Sequence, residues 1–415
     1  MPISFQMGYY SLLLGEGPLG RAWEDKLYGT FLEELPNGDV KLHWTTNTFN
    51  IFPKDEHGGY QPLEIKCHFD RLQKNPDGSF TLVRQSGRVY QFNAQGQLEQ
   101  LGNTRGQFLD LSYDGAGRLH TVTEPVSGVF LQYAYNAEGL LESVTDPLGR
   151  QARFEYDAKH NLIKLTDAAG QTITYTYNEA GQIVSGTNAE GELIFRNTFD
   201  EQQRVIEQED GISGHQPASF TYTNDTSNGR IRTAKVVTRL GKNRTYTFND
   251  NFQVVELKDE NGNTTAYPYD ATGKRTSVTD GNGNTTNYKY SANGNLKTIT
   301  NAAGQQTQFV YDADNNLLSV TNALGKKISF SYENNLLTRV VDPLGNVSRY
   351  TYNSDGQVLT ATRPKGSVTA YAYEQSHLVS ITKPSGVTYK LGYDAAGRWY
   401  QWSSTGEFYL HERYQ

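Results

Sequence analysis

Thr172-Ile173-Thr174-Tyr175-Thr176-Tyr177-Asn178-Glu179-Ala180-Gly181-Gln182-Ile183 decides how the whole chain is read. Two aromatics separated by one residue are followed by Asn, then Gly, then an aliphatic residue. The second aromatic returns as Phe92, Tyr113, Tyr135, Tyr156, Tyr177, Phe199, Tyr222, Phe248, Tyr269, Tyr290, Tyr311, Tyr332, Tyr352, Tyr373 and Tyr393. Successive members of this row lie 20 to 26 residues apart, and most gaps are 20 to 22. A sustained period of this length marks a repeat architecture, in which no unit buries its apolar face alone and each must stack on its neighbours.

Working outward from Tyr177, one period reads as two strands and two turns. Asp157-Ala158-Lys159-His160-Asn161 is a turn, Leu162 to Thr166 a short strand, Asp167-Ala168-Ala169-Gly170 a second turn, and Gln171 to Tyr177 a longer strand. The second turn recurs as Asp146-Pro147-Leu148-Gly149, Asp280-Gly281-Asn282-Gly283 and Asp342-Pro343-Leu344-Gly345. Asp or Asn opens such a turn by bonding its own backbone, Pro presets φ at the next position, and Gly accepts positive φ at the exit. Residues two apart on a strand share a face, so pairs such as Tyr133/Tyr135, Phe154/Tyr156, Tyr175/Tyr177 and Phe309/Tyr311 each place two rings on one side. Stacking of these rings from repeat to repeat is expected to hold the array together.

Composition agrees. The 415 residues include 28 Tyr, 18 Phe and 40 Gly against 2 Met, a strand-and-turn profile. A net charge of -7 with no long run of Lys or Arg argues against a nucleic-acid partner. One cysteine, Cys67, rules out an internal disulfide framework. The first 20 residues lack the basic start and apolar core of a signal peptide, and Leu12-Leu13-Leu14 is too short to span a membrane.

Residues 1–89 fall outside the period and form a β-rich module ahead of the repeats; residues 90–415 form an array of about 15 repeats. Pro36-Asn37-Gly38-Asp39 and Pro76-Asp77-Gly78-Ser79 are hairpin turns of the first module. Gly15-Glu16-Gly17-Pro18-Leu19-Gly20 matches the dinucleotide fingerprint in letters, but Pro18 is awkward there and no helix pattern follows, so it reads as a Gly/Pro turn. Between Phe199 and Phe248 the gaps stretch to 23 and 26, which predicts longer surface loops. Pro268 removes a ladder donor and predicts a bulge or an edge. One further period after Tyr393 predicts Tyr414, one residue from the end of the sequence, so the array is expected to be truncated and its edge to be continued or covered.

Tyr113-Asp114-Gly115-Ala116-Gly117-Arg118-Leu119, Tyr135-Asn136-Ala137-Glu138-Gly139-Leu140-Leu141 and Tyr393-Asp394-Ala395-Ala396-Gly397-Arg398 share the pattern Tyr-Asp/Asn-x-x-Gly. With Val-Thr-Asp-Pro-Leu-Gly at 144–149, this resembles the Rhs, or YD-repeat, family over residues 90–415. Gly17-Pro18-Leu19-Gly20-Arg21-Ala22-Trp23 resembles the segment that precedes the repeats in bacterial members. The resemblance implies an all-β fold, an antiparallel β-ribbon spiralling into part of a hollow cocoon. It also implies a shell segment of a polymorphic toxin, similar to type VI secretion effectors and the C component of Tc toxins, that encloses or presents a C-terminal toxin polypeptide. Teneurins carry a related shell for adhesion. The family's self-cleavage motif, Asp-Pro-x-Gly followed by Leu or Trp, is not matched: Arg150 follows the first Asp-Pro-Leu-Gly and Asn346 the second. About 30 strands at roughly 4.8 Å spacing give a ribbon of about 140 Å, or roughly one turn of a spiral.

No catalytic, metal or cofactor residue stands out. Cys67-His68 with Glu64 is the nearest approach to a metal cluster, and on a strand neighbours would point to opposite faces. There is no nucleophile elbow, Walker loop or His-Glu-x-x-His. Carboxylates beside tyrosines occupy the turn slot of nearly every repeat, which turn chemistry explains better than a glycosidase pair. The expected role is therefore a non-enzymatic container, whose partners are the enclosed polypeptide or the rest of the shell, with secretion-apparatus or chaperone proteins and carbohydrate as further partners. Export from the bacterial cytoplasm by a secretion system follows from the resemblance. A cell-surface module binding carbohydrate or protein is the alternative, and a glycan-degrading enzyme a third.

Overall fold

The computed structural model describes residues 4–10, 16–25, 27, 29–45, 48–64, 67–394, 399–404 and 407–410. Tyr414 and residues 395–398 lie outside them. The chain is all-β, as its period implies. Every strand from Arg71–Lys74 to Glu407–Leu410 hydrogen-bonds to its neighbours in sequence within one antiparallel sheet. The hairpin of Arg71–Lys74 and Phe80–Val83 already belongs to this wall. Ahead of it stand three small sheets: Met7–Tyr9 with Trp23–Asp25, Glu16–Gly17 with Gly20–Arg21, and Phe31–Glu34 with Val40–His43 and Phe49–Phe52.

The strand order closes with Glu407–Leu410 beside Arg71–Lys74. Among the described residues, however, no register joins those two strands, and the winding shows instead in contacts between distant turns. Lys274 Nζ donates to Gln85 Oε1 at 2.6 Å, Gln85 Nε2 donates to the Asn293 carbonyl at 3.2 Å, and Asn335 Nδ2 donates to the Thr104 carbonyl at 3.3 Å. These partners are 189, 208 and 231 residues apart. One winding therefore takes roughly nine to eleven repeats, and the array makes more than the single turn its strand number suggests. The difference is physical: a flat ring spends every strand on its circumference, whereas a spiral slides its later turns under the first.

Burial divides the wall. Among the described residues, the buried apolar side chains run from Leu19 to Ile183. Over that span the N-terminal module lies on the aromatic face: Phe5 packs 6.2 Å from Tyr133 and 5.5 Å from Phe154, and Trp23 lies 5.3 Å from Tyr175. The expected ladder of stacked rings is not what joins the repeats. Equivalent rings are two strands apart, about 9–10 Å, and an aliphatic residue sits between them. Tyr133 faces Val144, and Phe154 faces Leu165. Rings of neighbouring long strands touch at Tyr175 and Phe195, 6.5 Å apart, where Gly186 between them has no side chain.

Around Pro268 the sheet thins. Thr264–Ala266 and Ser277–Thr279 meet at the single pair Ala266 and Thr279, and the Pro268 carbonyl accepts from the Thr276 amide instead. Residues 211–217 form a loop between Val205–Asp210 and Ala218–Asn224.

Candidate functional site

Most anchor aromatics stand at or next to the end of a long strand, at a bulge. Ser112 pairs with Thr121 but Tyr113 with Leu119, leaving His120 as the extra residue. The same register shift falls on Phe92, Tyr135, Tyr156, Tyr177, Phe199, Phe248, Tyr290, Tyr311, Tyr332, Tyr352, Tyr373 and Tyr393. At Tyr222 it comes two residues later, and Tyr269 makes only an isolated bridge to Arg275. A bulge disrupts the ladder locally, and the tyrosine hydroxyls answer that disruption. Tyr113, Tyr135, Tyr156 and Tyr177 donate to the carbonyls of Leu98, Leu119, Leu141 and Leu162 at 2.6 to 2.9 Å. Tyr222, Tyr269, Tyr290 and Tyr352 do the same to Val205, Val254, Arg275 and Leu337.

Each accepting residue is the one paired with the preceding anchor, so these hydroxyls step from repeat to repeat like a staircase. Phe199 has no hydroxyl, and Asn197 Nδ2 donates to the corresponding Ile183 carbonyl at 3.3 Å. Sequence reasoning missed this bond. Its trace was the recurring separation of 15 residues between most of these tyrosines and an aliphatic that opens a short strand.

The turn residues are engaged locally. Asp146 Oδ1 accepts the amides of Leu148 and Arg150, while Gly149, at φ 77°, donates its amide to the Asp146 carbonyl. Asp342 Oδ1 accepts from Leu344 and Asn346, and Gly345 has φ 83°. Side-chain bonding from Asn346 holds the Asp342 carboxyl below the usual carboxylate range. Pro147 and Pro343 occupy the second position of these turns. Both carboxylates are committed to shaping backbone.

The N-terminal hairpin joins the repeats along one rim. The Pro18 carbonyl accepts the Leu141 amide at 2.6 Å, the Arg21 amide donates to the His160 carbonyl at 2.9 Å, and Trp23 Nε1 donates to the Tyr177 hydroxyl at 3.0 Å. Gly20 is required there, because a β-carbon would lie 2.2 Å from the His160 carbonyl. This is the Gly-Pro-x-Gly stretch that resembles a dinucleotide loop in letters; Glu16–Gly17 and Gly20–Arg21 are instead the two strands of a docking hairpin. Burial pushes the hydroxyls of Tyr133, Tyr156 and Tyr177 up, so they serve as neutral donors.

Cys67 lies in a turn, not a strand. Its thiol donates to the Glu64 carbonyl, and burial pushes it up to about 12. His68 packs edge-on against Phe69. Among the described residues no group of three His, Cys, Asp or Glu side chains could hold a metal, and no helix is long and apolar enough to cross a membrane.

Fold and anchors together define a YD-repeat β-shell. The RHS Repeat model matches residues 113–151 and 156–193, and the Teneurin YD-shell model matches residues 237–372. The chain belongs to the Rhs/YD-repeat family. The crystal structure of TcdB2-TccC3-TEV shares the fold, with a TM-score of 0.57 at 11% identity over 91% of this chain and 26% of that one. TcdB2-TccC3 without its hypervariable C-terminal region gives 0.44 at 14% over 92% and 23%. The Photorhabdus luminescens Tc holotoxin pore gives 0.43 at 14% over 89% and 21%. The chain thus spans about a quarter of the length of the solved structures it resembles. No curated protein matches.

Proposed function

We propose that this chain is a non-catalytic stretch of the shell of a toxin complex, and that its aromatic face lies against the toxin polypeptide the shell encloses. Residues 1–89 would form the entry module, whose last hairpin, Arg71–Lys74 with Phe80–Val83, already starts the wall that residues 90–415 continue. The observation that carries this reading is the state of the aromatic face. Tyr133, Phe154 and Tyr175 are buried under the N-terminal module, whereas Tyr288, Phe309 and Tyr350 occupy the same strand positions half-buried. A row of half-buried rings offers a sequence-tolerant apolar surface to an extended polypeptide. Carboxylates tied up in turns and tyrosines held neutral favour a wall over an enzyme. Delivery to target cells through a secretion system belongs to the same reading.

The test is to produce the chain with its downstream coding sequence and to digest the product with a protease. A C-terminal polypeptide that resists digestion while the shell is intact, and is degraded once denaturant opens it, is the expected result. Equal digestion in both states overturns enclosure. Retention on immobilised glycans with no protected polypeptide favours the adhesion reading instead.

A further inference from the structure

The rim turns that meet the N-terminal module carry a glycine with positive φ at their fourth position: Gly96 at 82°, Gly117 at 77°, Gly139 at 84° and Gly181 at 80°. In the turn that opens at Asp157 that position is His160, which takes φ 61°. A residue with a β-carbon is disfavoured there; Gln203, Phe252 and Asn315 take the same slot in later turns, but His160 is the one set against the N-terminal module, where its ring can have a task. The ring supplies one. His160 Nδ1 lies 3.1 Å from Glu16 Oε2, on the docking hairpin, and Nε2 lies 3.8 Å from Glu138 Oε2, on the preceding rim turn. We propose that His160 is a pH-sensitive latch that fastens the N-terminal hairpin to the rim of the shell.

The argument is one of donors and lone pairs. Neutral imidazole carries one N–H, so a ring between two carboxylates must turn a lone pair toward one of them. Protonated imidazole donates to both, and each contact becomes charge-assisted. Protonation of the ring therefore tightens the latch, and its loss loosens it. Other charged groups stand nearby. Asp157 accepts the amides of Lys159 and Asn161, and Arg118 pairs with Asp114. The Arg21 guanidinium lies against Gly181, and the Tyr156 hydroxyl bonds the carbonyls of Pro18 and Leu141. Glu16 and Glu138 are the carboxylates left facing the ring, with Tyr113 across a crevice of about 480 Å³. The His160 side chain is 36% exposed, so solvent protons reach it.

The device stands apart from any cargo and is tested on the chain itself. Hydrogen exchange at the Arg21 amide, bonded to the His160 carbonyl, and the Leu141 amide, bonded to the Pro18 carbonyl, reports docking. After correction for intrinsic rates, both should be at least about 5-fold better protected at about pH 5.5 than at about pH 8. His160→Asn keeps a residue that tolerates positive φ and should abolish that difference; Glu16→Gln should reduce it. A pH difference that persists in His160→Asn, or is absent from the unmodified chain, overturns the proposal. So does its disappearance in His43→Gln, since His43 pairs with Glu33 in a separate sheet.

Discussion

Strands Gln151–Tyr156 and Gln306–Tyr311 occupy equivalent places in the repeat but live under different conditions. Both carry a ring two residues before the anchor, paired with an aliphatic on the next strand: Phe154 with Leu165, and Phe309 with Val320. Phe154 is 4% exposed beneath Phe5, whereas Phe309 is only half-buried. The ladder hydrogen bonds and register shifts are alike, so neither backbone pairing nor the aromatic pattern decides how buried a repeat becomes. The cover decides it. The first part of the array behaves as a two-layer protein, and the later part as a single sheet that holds its shape through its bulges and turns.

The largest expected effect breaks this comparison most directly. Phe154→Ala should cost about 3–5 kcal/mol, as for other fully buried Phe truncations. Phe309→Ala should cost about 1–2 kcal/mol, because its ring already meets solvent. Repeat arrays need not unfold in one step, so denaturant midpoints should be read alongside local hydrogen exchange. Equal costs at the two sites would mean that the N-terminal module contributes no core.

Two glycines sharpen the same contrast. Gly96 and Gly304 have φ 82° and 77°, so Ala at either pays a left-handed penalty of about 1 kcal/mol. Nothing approaches the missing β-carbon of Gly304, whereas that of Gly96 would lie 2.0 Å from the Leu32 carbonyl. Gly96→Ala should therefore cost about 2–4 kcal/mol in total. It should also expose the Leu32 amide, which donates to the Gly96 carbonyl at 2.8 Å, to exchange. An unchanged Leu32 amide would show that the module does not depend on this junction.

Much of this was legible in the residue string, and the limit has a physical cause. The period, the all-β class and the antiparallel order follow from local chemistry, because Asp146 to Arg150 and Asp342 to Asn346 shape their turns with their own side chains. The bulge at most anchors was harder to see, since it adds a residue to the short strand without altering the repeat length. The winding was not legible. It shows in polar contacts such as Lys274 with Gln85, which join residues 189 apart and carry no periodic mark. Nor did the row of aromatics distinguish covered rings from open ones, because Tyr175 and Tyr350 sit in the same local pattern, and Trp23, the side chain that separates them, lies in a module outside the period.

The smallest expected effect concerns the hydroxyl staircase. Tyr156 and Tyr352 donate to the carbonyls of Leu141 and Leu337 at 2.9 and 2.6 Å, and Phe at either position removes the donor while keeping the ring. Leu141 is 2% exposed, so water cannot readily replace the lost hydroxyl; Leu337 is not so enclosed. Tyr156→Phe should cost about 1–2 kcal/mol and Tyr352→Phe about 0.5 kcal/mol, the gap being the difference between an orphaned and a rehydrated carbonyl. Phe199→Tyr supplies the reciprocal test. Asn197 already serves the Ile183 carbonyl, so the added hydroxyl should bring no stability on its own and should gain only when Asn197 is removed. A double-mutant cycle that shows no coupling between positions 197 and 199 would mean that the staircase is a geometric coincidence of the repeat and not a bond the wall relies on.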